Sequence, residues 1–516
     1  MTQLLRNARL LDGRLASLVV DGGTVAWIGP ADSEPVAVED LPAVDVAGRL
    51  LLPAFVDAHV HLTETALLME GLDLTGARSV TEILDAVAAA ARSGRGRTVL
   101  GHGWDELRLT EERPPSRAEL DRAADGGEVY LARVDVHSAV VSSALAERAG
   151  APVQDGWDDT GRVERDAHHV VRRLTRYSIG ADERRRLQIL ALRAAAAAGI
   201  TEVHEMSAPH VAPEEDLRGA MSLTGGGLPR VVGYHGEAVT SVLQAQDLVA
   251  RLGPVAGLAG DLMADGSLGS RTAALISDYA DAPGHRGHRY LSEEQVRDHV
   301  VACTLAGLQA GFHAIGDDAV ACVLAGFEAA AAITGERSIR NAGHRVEHVE
   351  AIDERGVQTM ARLGLAASVQ PGFDERWGGP EGMYAQRLGP ERAAGLNPFA
   401  SMVRAGVRVL FGSDSPVTPF APWQTVRAAV RHGTEEHRIA LGDALRAHVT
   451  PGVGLVPRVG APADLVAWEM PEEFSVTGVI GRRPQSDLEE LLTSDGEGDM
   501  PVPGVFTAVR AEVTIQ

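Results

Sequence analysis

The stretch Phe55-Val-Asp-Ala-His-Val-His-Leu62 places two histidines one residue apart, where an apolar run that starts at Arg49 comes to its end. If that run is a strand, side chains alternate faces, and His59 and His61 point the same way, roughly 6–7 Å apart along the backbone. Two imidazoles converging on one point suit a metal ion; two hydrogen-bonded histidines at a strand end fit the same stretch. Other metal-competent side chains end apolar runs further along: His313 in Gly-Phe-His-Ala, His348 in Arg-Val-Glu-His-Val and Asp414 in Leu-Phe-Gly-Ser-Asp. Each alone is compatible with a structural role. Together they describe one mouth lined with imidazole and carboxylate, the donor set of Zn²⁺ or a similar ion that keeps an open position for water.

The elements that must hold them are eight apolar runs: 49–59, 199–205, 228–234, 258–266, 307–314, 343–349, 363–370 and 407–414. Helix-like segments such as 182–198 and 292–306 separate several of them. This alternation predicts an α/β chain with a (β/α)8 TIM-type barrel, whose functional groups stand at the C-terminal ends of the strands. Residues 1 to about 50 read as short strands with Asp/Gly turns, as do 461–469 and 504–516, so both termini are expected to share one small β domain. The division expected is a composite β-sandwich domain of 1–52 with 453–516, and a barrel of 53–452. Within the barrel, 63–198 is too long for one crossover helix and reads as a lid-like insertion after the first strand, with a helix near 79–93 and strand-like runs at 98–106 and 127–141. The acidic, Gly/Pro-containing stretch 471–503 reads as a linker.

Composition narrows the partners. A formal charge of −23 argues against nucleic acid and anionic membranes. Two cysteines, Cys303 and Cys322, are too few and too isolated for a disulfide framework or a cysteine zinc site. No run approaches the roughly 18 apolar residues of a membrane span, and the start lacks a basic segment leading into a long apolar one. A cytoplasmic, soluble protein acting on a small molecule is expected, with a homodimer left open. All 48 Lys+Arg residues are arginine, which excludes Schiff-base chemistry and carboxylated-lysine metal bridges.

Read in order, LLPAFVDAHVHL, GHGWDE, ARVDVHSAVVSSALAERAG, ADGSLGSRTAAL, FHAIGDDAV, HRVEHVEAID, SVQPGF, FGSDSPVTPFAPWQTVRAAV and APADLVAWE resemble the amidohydrolase superfamily, and more closely its YtcJ-like members (amidohydrolase family 3). The resemblance implies a metal-bearing barrel on a small β-sandwich built from both termini, and hydrolysis of an amide-like or other C–N bond. It makes His59 and His61 the first-strand ligands and His313 the fifth-strand ligand. His348 is the sixth-strand histidine, which binds a second metal or the substrate. Asp414 is the eighth-strand aspartate, which touches the metal and takes a proton from its water. Many relatives carry a lysine four residues before the Asp of the DGS motif, and when carboxylated it bridges two metals. Here Asp261 occupies that position. Aspartate is shorter by several bonds, and zinc–oxygen bonds are about 2.0–2.2 Å, so the reading is one divalent ion, zinc, on His59, His61, His313 and Asp414, with Asp261 a buried neighbour or weak ligand.

The ion would lower its water's pKa towards about 7, with Asp414 as base and acid and His348 supporting the oxyanion. Substrate-contact candidates are Asp265, Arg271, His137 and Trp104. Asp265 and Ser267 could equally shape a loop, Arg271 could form a structural ion pair, and Trp104 with Asp105 could pack and cap. His137 with Asp135 could reach in from the insertion, and His204 could line the second strand end. His168 and His169 read as solvated surface. The alternatives are hydrolytic deamination of a heterocycle, a metal-free ligand-binding pseudo-enzyme, and a glycosidase using Glu205 and Glu347. A glycosidase needs carboxylates about 5–9.5 Å apart and leaves the histidines unexplained.

Overall fold

The computed structural model describes residues 2–33, 41–94, 96–223, 227–469, 492, 504–509 and 514–515. Eight parallel strands form one sheet: β1 (Phe55–Val60), β2 (Ile200–Ser207), β3 (Arg230–His235), β4 (Gly257–Leu258), β5 (Gln309–Ala314), β6 (Arg345–His348), β7 (Ala366–Val369) and β8 (Arg408–Phe411). They pair in chain order. β8 returns to β1 through the backbone: the Asp414 N–H donates to His59 O (2.8 Å) and the His61 N–H to Ser415 O (2.9 Å). Asp57, buried on β1, accepts the Ser413 N–H at 2.9 Å. The barrel therefore closes at the two strand ends that carry His59, His61 and Asp414. Helices follow the strands around the outside, among them Ala181–Ala197, Glu293–Ala306, Asp317–Thr334 and Pro422–Arg431.

Two expected strands differ. The run 49–59 is two strands: Leu50–Pro53 joins the terminal sheet, and β1 begins at Phe55. The chain changes partner at Ala54, whose N–H goes to Asp464 O while the Phe55 N–H goes to Gly199 O. The run 258–266 leaves the ladder after Leu258, returns to β5 at a single parallel bridge between Met263 and His313, and is otherwise irregular.

A second, mixed sheet combines strands from both ends of the chain, Gln3–Arg9, Leu15–Asp21, Thr24–Pro30, Ala43–Asp45 and Leu50–Pro53 with Leu465–Glu469, Gly504–Val509 and Thr514–Ile515. Period-2 alternation decides what each residue packs against. Leu50, Leu52, Val466 and Trp468 enter the barrel core, whereas Leu51, Leu465 and Ala467 fill the sheet's own core. After β1, the segment between Leu62 and the helix Ala181–Ala197 builds a five-stranded sheet of its own, ordered 162–164, 138–141, 129–133, 99–104, 72–73. The run 127–141 is a hairpin rather than one strand: Val129–Arg133 and Ser138–Val141 flank a turn at 134–137. The expected linker 471–503 falls outside the described residues except for Leu492. No single helix among the described residues is long and apolar enough to cross a membrane.

Gly199, where helix 181–197 meets β2, has φ +78°, and a Cβ there would lie 2.3 Å from the Trp468 ring. Gly406 has φ +80° with open space around it. Gly199→Ala should therefore lower stability by about 1–3 kcal/mol beyond the backbone strain that Gly406→Ala isolates. Thermal midpoints of the two variants measure the difference; equal midpoints would contradict the close packing of Trp468 on this glycine.

Candidate metal centre

β1 ends with His59 and His61 on one side, both buried, their ring centroids 5.4 Å apart. Both Nδ1 atoms are committed. His59 Nδ1–H donates to Glu347 Oε2 (2.9 Å) and His61 Nδ1–H to Met206 O (2.9 Å). In the neutral ring that puts the proton on Nδ1 and leaves each Nε2 a lone pair facing the mouth. Two carboxylates meet these lone pairs. Asp414 Oδ1 is 3.5 Å from His59 Nε2 and 3.3 Å from His61 Nε2. Asp261 presents one oxygen to each histidine, at 3.5 Å in both cases. In a tetrahedral site with bonds of about 2.0–2.1 Å, neighbouring ligand atoms stand about 3.3–3.4 Å apart, so Asp414 stands to His59 and His61 at the spacing of ligands to a small cation, with Asp261 against both histidines. His348 Nδ1–H donates to Gln370 Oε1 (2.8 Å), which leaves its Nε2 bare as well, and its ring is 5.1 Å from that of His59.

Asp261 reaches the cluster because its backbone does. A Cβ on Gly236 would lie 2.4 Å from the Asp261 carbonyl carbon, so the missing side chain at 236 lets the segment after β4 press inward. The shorter side chain thereby comes within 3.5 Å of both histidines. His313 lines the same mouth with its Nε2 engaged. Its Nε2–H donates to Gly266 O (3.1 Å), and its ring packs 4.4 Å from His348 and 5.1 Å from His137. The groups that could hold an ion are His59–His61–Asp414 and His59–Asp261–His348; His313 belongs to neither.

The residues fit a divalent ion. His59 Nε2 is buried without a hydrogen-bond partner, and a ring nitrogen facing two carboxylates needs positive charge between them, a metal ion or, without one, a proton. Burial opposes charge on His59, but the carboxylates of Asp414, Asp261 and Glu347 outweigh it and hold its pKa well above the ordinary histidine value. Burial raises the pKa of both aspartates; the histidines more than reverse this, taking Asp261 well below and Asp414 below the usual carboxylate range. Burial pulls His348 down to about 4, with carboxylates only partly offsetting it. Glu347 is fully buried between two partners: Arg345 Nε and Nη2 donate to it at 2.5 and 2.8 Å, and Arg345 also binds Ala58 O (2.7 Å). His348 (φ 68°) and Asp414 (φ 52°) both hold left-handed backbone, a strain of about 1–3 kcal/mol each that clusters at working sites.

The amidohydrolase family model matches residues 43–478. The chain belongs to the amidohydrolase family. It is 26% identical over 460 residues to the putative amidohydrolase YtcJ of Bacillus subtilis (strain 168), covering 81% of this chain and 80% of that protein. It is 26% identical over 466 residues to the N-substituted formamide deformylase of Arthrobacter pascens, covering 83% of each. Among solved structures, an uncharacterized metal-dependent hydrolase from Pyrococcus horikoshii OT3 is 27% identical with a TM-score of 0.69, over 87% of this chain and 92% of that one. These likenesses make the chain a YtcJ-like amidohydrolase and a hydrolase.

The other expected site residues of this amidohydrolase divide sharply. His137 lines the mouth beside His61, Asp261, His313, His348 and Asp414. Asp265 does not face the mouth: fully buried, it accepts the N–H groups of Ala274, Ile315 and Gly316 at 2.8–3.0 Å and organises the loop after β4. Arg271 pairs with Asp281 through two hydrogen bonds of 3.0 and 2.8 Å. Trp104 is a core residue of the insertion, its indole N–H donating to Leu131 O. Asp105 caps the turn 106–108. Asp135 ties the insertion to the loop after β4 by accepting from Ser267 (2.7 Å) and Ser270 (2.8 Å). His204 bonds Glu202 and Arg345 instead of entering the cluster. Glu205 accepts the Leu62 N–H (2.8 Å) and Glu347 supports His59, so neither is free to act on a glycoside.

His168 and His169 are not solvated surface. With Arg165 and Arg172 they face the mouth from the helix Arg165–Tyr177, spaced i, i+3, i+4, i+7 on one helix face. A polar stripe of that period reads as a solvent face until another surface is known to cover it. The signal that could have revealed Glu347 was its place next to His348 on a strand, one residue out of phase with the mouth.

Asp261→Asn should weaken ion binding by at least the 10–100-fold that outer-shell partners of metal ligands command, while His313→Gln leaves it near the parent value. Chelator-competition titrations read both; the reverse order would restore His313 as a ligand.

Proposed function

We propose that this hydrolase cleaves an amide-like C–N bond of a small molecule at a single divalent ion, zinc, held by His59, His61 and Asp414 with Asp261 and His348 beside them. The observation that carries the reading is the partnerless buried Nε2 of His59 facing two carboxylates. One ion rather than two is favoured because both candidate groups share His59, whose Nδ1 is already spent on Glu347. The name of the formamide deformylase relative adds support for C–N chemistry.

When bound, such an ion acidifies water and polarises a carbonyl. The chain's own groups do the rest. Asp414, kept ionised by His59, His61 and His348, accepts a proton from the attacking water and returns it to the departing nitrogen. His61 is locked by Met206 O, and the Arg345–Glu347 pair locks His59, so neither ring turns while charge develops. His348 keeps its proton on Nδ1, so its Nε2 accepts or ligates and does not donate to an oxyanion. The arginine-bearing face of helix 165–177 covers the mouth and limits water.

Elemental analysis of the purified protein should give about one equivalent of metal, lost in a His59→Ala/His61→Ala variant. Asp414→Asn should lower kcat by about 10²–10⁴-fold, the usual share of a positioned proton-transfer group, without releasing amine or acid from simple amides at the parent rate. Free ammonia from a heterocycle in place of amine plus acid would assign a deaminase. Metal-free protein after growth with zinc, manganese or iron would remove the mechanism.

A further inference from the structure

The space around the metal centre does not match the space a substrate needs. The cavity at the ligands has a volume of about 30 Å³, room for about two water-sized groups. It admits the scissile group and little more. Next to it lies a second cavity of about 580 Å³, within the roughly 300–1,000 Å³ of small-molecule sites. It runs between the insertion and the barrel, and its lining is mostly apolar, with Leu68, Met69, Val134, Val417 and Phe420 along it.

The two spaces share a wall. Val136, in the hairpin turn of the insertion, lines both. Ser415 lines the large one and directly follows Asp414, and its carbonyl accepts the His61 N–H. Thr65 lines it too, and its hydroxyl binds His61 O and Ser415 Oγ at 2.8 and 2.9 Å. The large cavity thus begins at the residue that follows Asp414 and is hydrogen-bonded to His61 through its carbonyl. Val136 also has φ 52°. A β-branched residue in the left-handed region is a genuine outlier, and the rest of the turn holds it there, with the Val136 N–H on Arg133 O (2.9 Å) and Asp135 bound to the loop after β4.

We propose that the 580 Å³ cavity is the substituent pocket of this enzyme: the scissile group enters the metal cavity past Val136, and an apolar group of the substrate, alkyl or aryl, fills the space lined by Leu68, Met69, Val417 and Phe420. The substrate class is then an amide-like compound with a sizeable apolar substituent. The inference rests on the hydrolase reading for the word substrate, but the pocket itself can be tested without turnover.

The probes are sulfonamides, which have the shape of an amide and no hydrolysable carbonyl: N-methylmethanesulfonamide, N-hexylmethanesulfonamide and N-methylhexanesulfonamide. Calorimetric titration of the metal-loaded protein should show affinity rising about three- to fourfold per added methylene for at least one of the two hexyl compounds, and the one that gains tells which side of the scissile bond the pocket serves. Leu68→Trp should flatten that gain, and Met69→Trp, at a half-exposed position that folding tolerates more readily, should do the same. Val136→Ala should extend the gain to branched chains. Equal affinity for the methyl and hexyl compounds, or a gain that survives both tryptophan variants, overturns the proposal. The matching amides, N-methylacetamide, N-hexylacetamide and N-methylheptanamide, separate the two readings: sulfonamide binding with no amide cleavage keeps the pocket and removes amide hydrolysis, whereas cleavage that ignores chain length on both sides of the bond keeps hydrolysis and removes the pocket.

Discussion

The structure turns on one electrostatic constraint: a buried imidazole lone pair, His59 Nε2, faces the carboxylates of Asp261 and Asp414 with no hydrogen bond to any of its neighbours. Lone pair and carboxylates repel one another in a low-dielectric interior, so the arrangement is stable only with positive charge at its centre. Much of the nearby architecture keeps that constraint in place. Barrel closure between β8 and β1 sets Asp414 against His59 and His61 through backbone hydrogen bonds. Arg345 orients Glu347, which orients His59. Removing either would leave a buried charge unpaired, the costly case for buried ion pairs.

Around this centre, rigidity and access are handled by different parts of the chain. The ligands stand on or just after barrel strands, where neighbouring ladders limit their movement. The surfaces that shape the space above them come from the insertion: the helix 165–177 with its basic stripe, and the hairpin turn with Val136 and His137. Asp135 fastens that turn to the loop after β4, so the insertion is anchored to the barrel by buried hydrogen bonds to Ser267 and Ser270. Left-handed backbone occurs at the same level, at Val136, His348 and Asp414, as it does at turns elsewhere in the chain. Each is held by bonds from elsewhere in the fold, as residues that must present a side chain at an unusual angle require.

Much of this was legible in the residues. Eight apolar runs mark eight strands because a strand buried on both faces needs continuous apolar side chains. His59 and His61 share a side because strand period is 2, and the motif order across the chain carried the family resemblance that the match over residues 43–478 bears out. The misreadings have physical causes. The run 49–59 looked like one strand since apolarity does not record a change of partner at Ala54. His168 and His169 looked exposed since a polar helix face does not say what covers it. Asp265 and Arg271 looked available since their partners, three backbone N–H groups and Asp281, are not sequence neighbours.

What the sequence determined by itself is the local chemistry: strand period, the absence of lysine, a carboxylate at 261, and the types of the ligands. What only the tertiary structure decided is which of them meet. Asp261 joins the centre because Gly236 lets its backbone approach, His313 lines the same mouth outside both ligand groups with its Nε2–H on Gly266 O, and Val136 divides two cavities because a hairpin folds over the mouth. Side-chain type is a property of one position, whereas a distance of 3.5 Å between residues some two hundred positions apart is set by the packing of everything between them.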